Sequence, residues 1–470
     1  MQEMILAYIE THRLRFIDEL FSLLRIPSIS AEAAHKPDML RAAACWRDAL
    51  LAAGADRAAL FPTAGNPIVY GEKIIDPQAP TVLVYAHYDV MPVDPLDRWL
   101  SPPFEPTIRD GKIYARGADD DKGQGFMHAK AFEAMVATGT LPCNVKFMIE
   151  GEEEIGSASL LDWCRTQKDR LAADVILVSD TGMISPCCPS ITAGLRGLAC
   201  VEVEVEGPNR DLHSGLYGGA VANPINILCR MIAALHDDDG RIAIPGFYDD
   251  VQELSPAERK TLAKAPFNLQ EYRQALNVAE LQGEKGYRTP EHTGIRPALD
   301  VNGIWGGYTG EGSKTVIPAK AFAKLSIRLV PNQDWQTVVR QFTECFEWLA
   351  PPSVKVRVAP AHGGQPYVSP LKSVAYRAAE RALTQTFGIR PLPFRSGGSI
   401  PIIAAFEEIL GMKSILMGFG LAGDAIHSPN ENYPLKNFFK GIEGIALFYA
   451  HFTTLATAGQ YPAAVARPPA

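Results

Sequence analysis

Three adjacent carboxylates, Glu152, Glu153 and Glu154, follow an apolar run at 145–149 in the segment Glu-Gly-Glu-Glu-Glu-Ile-Gly-Ser that spans 150–157. The run reads as a buried strand. Ligands of α/β domains bind beyond the carboxyl ends of such strands, so the cluster points to a cation or to proton transfer. An acidic surface loop would have the same composition. Two further strand ends favour chemistry. The apolar run 81–86 ends in His87-Tyr88-Asp89. Residues i and i+2 share a face of extended chain, so the Asp89 carboxylate can hold the second ring nitrogen of a metal-binding His87. The run 174–179 ends in Asp180. Three strands thus deliver His, Glu and Asp to one edge.

Asp120, in Gly-Ala-Asp-Asp-Asp-Lys-Gly at 117–123, and His427, in the glycine-rich loop 420–431, extend the set to His87, Asp89, Asp120, Glu153, Glu154, Asp180 and His427. Carboxylates gathered in one crevice without a cation would repel one another by roughly 4 kcal/mol per close pair at an effective dielectric of about 20. Two divalent ions remove the conflict, provided that a carboxylate bridges them. Mixed imidazole and carboxylate donors favour zinc, with manganese or cobalt tolerable.

The elements that must position these groups alternate as strand, helix and strand, so the expected fold is α/β: a mixed, mostly parallel sheet flanked by helices. Helical spacing covers 1–24 and 37–53, and strands are expected near 67–70, 81–86, 145–149 and 174–179, with a helix over 125–136. At Gly197 the character changes. Residues 198–206 end in a strict apolar and acidic alternation, the mark of a half-buried antiparallel or edge strand. Asn223-Pro224 opens a helix, 237–300 is a polar, proline-broken excursion, and strands near 321–330 and 354–358 enclose a helix over 335–349. The 470 residues exceed one ordinary core. The expected division is a catalytic domain in two parts, 1–196 and 362–470, with an α+β domain inserted at 197–361. Helices near 371–386, 402–410 and 437–454 and a strand at 414–417 complete the chain, and the alanine and proline tail after Gln460 reads as disordered.

A net charge of −8 argues against a nucleic-acid partner, which needs a concentrated basic surface. The charged helical pattern at 1–25 is neither a secretory signal nor a membrane span. The eight scattered cysteines form no Cys-x-x-Cys unit and read as reduced thiols, so a cytoplasmic location is expected.

With these residues in view, the chain resembles the dinuclear-zinc exopeptidases that include aminoacylases, glutamate carboxypeptidases and carnosinases. It is most similar to the branch of cytosolic non-specific dipeptidases and carnosine dipeptidases, and the resemblance covers nearly its whole length. The resemblance implies that His87 and Asp180 bind one metal, that Glu154 and His427 bind the other, and that Asp120 bridges, with a cis peptide at Asp120-Asp121. It makes Glu153 the general base that takes a proton from the shared water, with Asp89 orienting His87. The same resemblance implies a homodimer in which His213 and Thr315 act across the interface. Arg328 is implied to clamp a substrate carboxylate, with His362 and Ser399 as further substrate contacts. The extra carboxylates Asp119 and Glu152 receive no role. The expected activity is metal-dependent hydrolysis of dipeptides. The alternative is an amidohydrolase acting on N-acyl or N-carbamoyl amino acids with the same machinery.

Overall fold

The computed structural model describes residues 1–460, and the tail expected to be disordered lies outside the described residues. A nine-stranded mixed sheet runs in the order Arg57–Phe61, Ile68–Lys73, Asn144–Glu150, Thr81–His87, Val175–Val178, Ser414–Leu416, Ser190–Leu195 and Tyr367–Val368, with Leu392–Ser396 also beside Ser190–Leu195. Thr81–His87 is parallel to both of its neighbours. Every residue of Thr81–His87 and of Val175–Val178 is buried. Such unbroken apolar runs arise because helices cover both faces of a parallel sheet. Successive side chains confirm it: Val82, Val84 and Ala86 enter one core, Leu83 and Tyr85 the other. On the first face lie the helices Lys122–Ala137, Val374–Phe387 and Leu435–Leu455, and on the second Ala158–Thr166 and Pro401–Leu410.

Lys122–Ala137 is buried along nearly its whole length, which demands small residues where it meets the sheet. A Cβ at Gly125 would stand 2.8 Å from the Cβ of Ala86, and one at Gly123 would stand 1.9 Å from the Ala118 carbonyl oxygen. The helix therefore lies close against the strand that ends in His87.

A second sheet has the order Ala298–Gly306, Lys320–Leu329, Gly197–Glu206 and Lys355–Gly364, antiparallel throughout. The alternation in Gly197–Glu206 buries Val201, Val203 and Val205 against the helices Pro224–Ala233 and Trp335–Leu349, and turns the glutamates outward. Both helices begin at side-chain caps: Asn223 Oδ1 accepts from Ile225 N at 2.9 Å, and Asp334 Oδ1 from Thr337 N at 2.7 Å.

Some local expectations shift. The amino-terminal helical stretch is two helices, Gln2–Thr11 and Arg13–Leu24, broken at His12. Arg57–Phe61 is a strand that the weak pattern Arg-Ala-Ala-Leu-Phe did not announce, formed by antiparallel pairing with Ile68–Lys73. The last strand of the second sheet continues to Gly364 through an irregularity between Pro360 and Gly363, so His362 sits at a register break on that strand.

Since the atom facing Gly123 is backbone, it cannot move aside as a side-chain end would. Gly123→Ala is expected to destabilise the protein by about 1–3 kcal/mol, the usual cost of overpacking a tight site. A denaturant titration that gives the wild-type midpoint would show that helix and turn separate freely.

Candidate metal centre

Five segments converge at one edge of the large sheet. His87 ends its strand fully buried, with Nε2 3.1 Å from Asp120 Oδ1 and 4.0 Å from Asp180 Oδ2. His427 Nε2 lies 2.9 Å from the other oxygen of Asp120, Oδ2, and 3.3 Å from Glu154 Oε2. His87, Asp120 and Asp180 form one group with donor atoms within 4.8 Å of one another, and Asp120, Glu154 and His427 form another. Asp120 belongs to both, one oxygen to each. The peptide between Asp120 and Asp121 is cis.

The spacing suits cations. Two donors each about 2.0–2.1 Å from a tetrahedral ion stand roughly 3.3–3.4 Å apart. The inter-donor distances of 2.9–4.0 Å bracket that value. The charge balance suits them too. Burial, then the neighbouring Asp120 charge, pushes the Asp180 carboxyl up to about 7. Burial raises Glu154 and carries Glu153 well above the usual carboxylate range, with Asp180, Asp120 and Glu154 adding to the shift at Glu153. Hydrogen bonds to Asp120 and Glu154 lift the His427 imidazole to about 10. Burial opposes a proton on His87, but the hydrogen bonds to Asp120 and Asp89 override it and its pKa rises well above the ordinary value. For Asp120 burial acts upward, and the bonds from His427 and His87 win, so its pKa falls. The cluster thus gathers positive charge wherever it can. A divalent ion would take the place of those protons, because imidazole and carboxylate ligate in their deprotonated forms.

Asp89 does more than its spacing foretold. It meets His87 Nδ1 through its backbone oxygen at 3.1 Å and its carboxylate at 3.3 Å. Its two carboxylate oxygens also accept from Glu153 N at 3.2 Å and Glu154 N at 3.1 Å, which ties the acidic turn to the histidine. Glu152 faces away: Oε1 accepts from Asn66 N at 2.7 Å and Oε2 from Ser159 N at 3.0 Å. Its carboxylate fastens the turn to a neighbouring loop and to the start of the next helix. Asp119 is buried against Gly420, where a Cβ would lie 2.6 Å from Asp119 Oδ2. Burial, then the charges of Asp424 and Glu431, raise its pKa well above normal.

Away from the cluster, Arg328 Nη1 donates to Ser399 Oγ at 2.8 Å, and Ser399 Oγ to Gly197 O at 3.2 Å. Arg196, which the sequence analysis passed over, donates to Gly397 O at 3.0 Å and so holds the loop before Ser399. Its position between the buried run 190–195 and the alternation from Gly197 was the available signal. His362 is exposed. His213 and Thr315 are both exposed beside a two-stranded antiparallel pairing, in which Leu212–His213 pairs with Val316–Ile317 and Ser214 N donates to Thr315 O at 3.0 Å. Among the described residues, no hydrogen bond or ion pair joins either of them to the acidic cluster of the same chain.

Comparison with known proteins agrees with this geometry. The model of peptidase family M20/M25/M40 matches residues 83–451. The human Beta-Ala-His dipeptidase is 34% identical over 472 residues, covering 97% of this chain and 92% of the relative. The Cys-Gly metallodipeptidase dug1 of Schizosaccharomyces pombe is 37% identical over 385 residues, 80% of this chain and 81% of that one. Among solved structures, the metallo-carboxypeptidase Sso-CP2 from Sulfolobus solfataricus superposes with a TM-score of 0.85 at 33% identity, covering 94% of this chain and 99% of that one. A shared carboxylate between two histidine-containing donor groups, on a sheet that superposes over almost the whole chain, makes this protein a member of peptidase family M20/M25/M40.

Proposed function

We propose that the protein is a dipeptidase working at two divalent ions, zinc by preference and manganese or cobalt as substitutes. His87 and Asp180 hold one ion, Glu154 and His427 the other, and Asp120 both. The observation that carries this reading is the division of the two Asp120 oxygens between His87 at 3.1 Å and His427 at 2.9 Å. Relatives at 34% and 37% identity that are named as dipeptidases support the substrate class. Ions so held would supply Lewis acidity to a carbonyl and would lower the pKa of a bound water towards about 7.

Glu153 sits beside Glu154, and its high proton affinity suits a group that must accept a proton and release it again. It takes the proton from the attacking water as the carbon–oxygen bond forms, and gives it to the departing amine nitrogen as the carbon–nitrogen bond breaks. Asp89 keeps both His87 and the Glu153–Glu154 turn in place. Arg328 receives the free carboxylate of the substrate, a task for a planar guanidinium, and Ser399 fixes its direction. His362 and Ser399 complete the substrate contacts. His213 and Thr315, exposed and unattached to their own cluster, act in the partner's site of a homodimer, where His213 steadies the developing oxyanion. The segment 197–361 serves as lid and dimerisation domain between catalytic parts 1–196 and 362–470. No described helix is long and apolar enough to cross a membrane. All eight cysteines are free thiols, which supports a reducing, cytoplasmic setting.

Unblocked dipeptides should be cleaved in preference to N-acetyl amino acids, N-carbamoyl amino acids and longer peptides when zinc, manganese and cobalt are supplied in turn. Faster turnover of the blocked amino acids would make the protein an amidohydrolase. Glu153→Ala should retain both ions by elemental analysis and lose about 10²–10⁴-fold in kcat, and near-normal turnover would remove Glu153 from the mechanism. His213→Ala and Glu153→Ala chains, each nearly inactive, should on mixing recover about a quarter of the wild-type activity, since half the dimers then hold one complete site. No recovery would mean that each chain completes its own site.

A further inference from the structure

The glycine-rich loop that presents His427 ends in Glu431, a carboxylate with no solvent exposure. Its Oε2 accepts from Arg116 Nη1 at 2.8 Å and from Gly117 N at 2.9 Å. Its Oε1 accepts from Asp119 N at 3.0 Å and from Asp120 N at 3.1 Å. All four partners are donors, so both oxygens act as acceptors and the group is a carboxylate in this arrangement. The backbone of Glu431 adds a fifth tie, its carbonyl accepting from Ala115 N at 3.1 Å, and Asn432 continues the pairing opposite Tyr114. One side chain therefore gathers three amides of the turn that aims Asp120, from a position four residues beyond His427.

We infer that Glu431 is a positioning residue for the ion pair: it sets the direction of the Asp120 carboxylate relative to His427, so that one oxygen faces each donor group. The inference rests on Asp120 being the shared ligand. The turn from Gly117 to Asp120 leads directly into the helix Lys122–Ala137. Replacing the carboxylate by an amide would put an NH₂ donor against amides or a guanidinium that also donate, and the turn could not keep its place. Removing a group of this kind, one bond away from the ligands, commonly lowers metal affinity by 10–100-fold, or about that range.

The test is titration of the metal-free protein with cobalt(II), followed by the visible absorption of the bound ion, with far-ultraviolet circular dichroism as a check on folding. Glu431→Gln is expected to fold, to bind cobalt about 10–100-fold more weakly, and to show shifted bands at saturation, because the geometry around the ion has changed. A merely stabilising residue would leave those bands in place once the protein is saturated. Glu431→Asp keeps the charge opposite Arg116 but withdraws the oxygens from the Asp119 and Asp120 amides, and should move affinity and bands in the same direction. If Asp120→Ala weakens cobalt binding while both Glu431 variants bind and absorb like the wild type, the inference is overturned and the site assignment stands. If Asp120→Ala also binds normally, both fall. Loss of the fold in both Glu431 variants would overturn it as well, by making Glu431 a requirement of folding instead of Asp120.

Discussion

Like charge collected in a crevice of low dielectric must be compensated, and the whole catalytic edge of this protein is arranged around that requirement. Asp120, Glu153, Glu154 and Asp180 meet where parallel strands end, and burial acts to raise the proton affinity of all four and prevails at every one except Asp120. Asp120 escapes because two imidazoles reach it, one on each oxygen. A divalent ion held on each side would answer the same electrostatic demand with more charge. The shared carboxylate is the point on which both halves of the centre depend.

The fold serves this edge by making its approach rigid. Strands buried on both faces leave no freedom at the residues that follow them, the close contact of Gly125 holds the long central helix against the His87 strand, and that of Gly123 holds it against the turn at Ala118. Polar groups just behind the candidate ligands finish the job. Asp89 links His87 to the Glu153–Glu154 turn, Glu152 anchors the same turn from its far side, and Glu431 joins the Asp120 turn to the His427 loop. Each uses carboxylate oxygens to collect backbone amides, the strong, charge-assisted form of the hydrogen bond.

The second sheet has a separate core and contributes groups of a different kind. Arg328 lies on one of its strands but bonds Ser399, which belongs to the loop before the helix Pro401–Leu410, so a guanidinium from one unit is held by a hydroxyl from the other. Arg196 lies at the junction of the two sheets and bonds the same loop. The side chains of His213 and Thr315, by contrast, are exposed. The acidic edge and the Arg328 guanidinium are therefore supplied by different layers of the molecule.

Much of this was legible in the sequence, for physical reasons that are local. Unbroken apolar runs identified the parallel strands, strict alternation identified Gly197–Glu206, and Asn223 marked a helix start, because periodicity and capping are decided within a few residues. His87 and Asp89 could be paired from extended geometry alone. What neighbouring residues could not decide was the direction of side chains after the strands ended. Which of Glu152, Glu153 and Glu154 turns from the site depends on Asn66 and Ser159, and the path of the His427 loop depends on left-handed backbone at Ala425, His427 and Asn430. His427 meets Asp120 across 307 residues of sequence, and Glu431 reaches the same turn across 311. Contacts of that range carry no local periodicity, so only the packed tertiary structure could bring the two Asp120 oxygens to face two histidines.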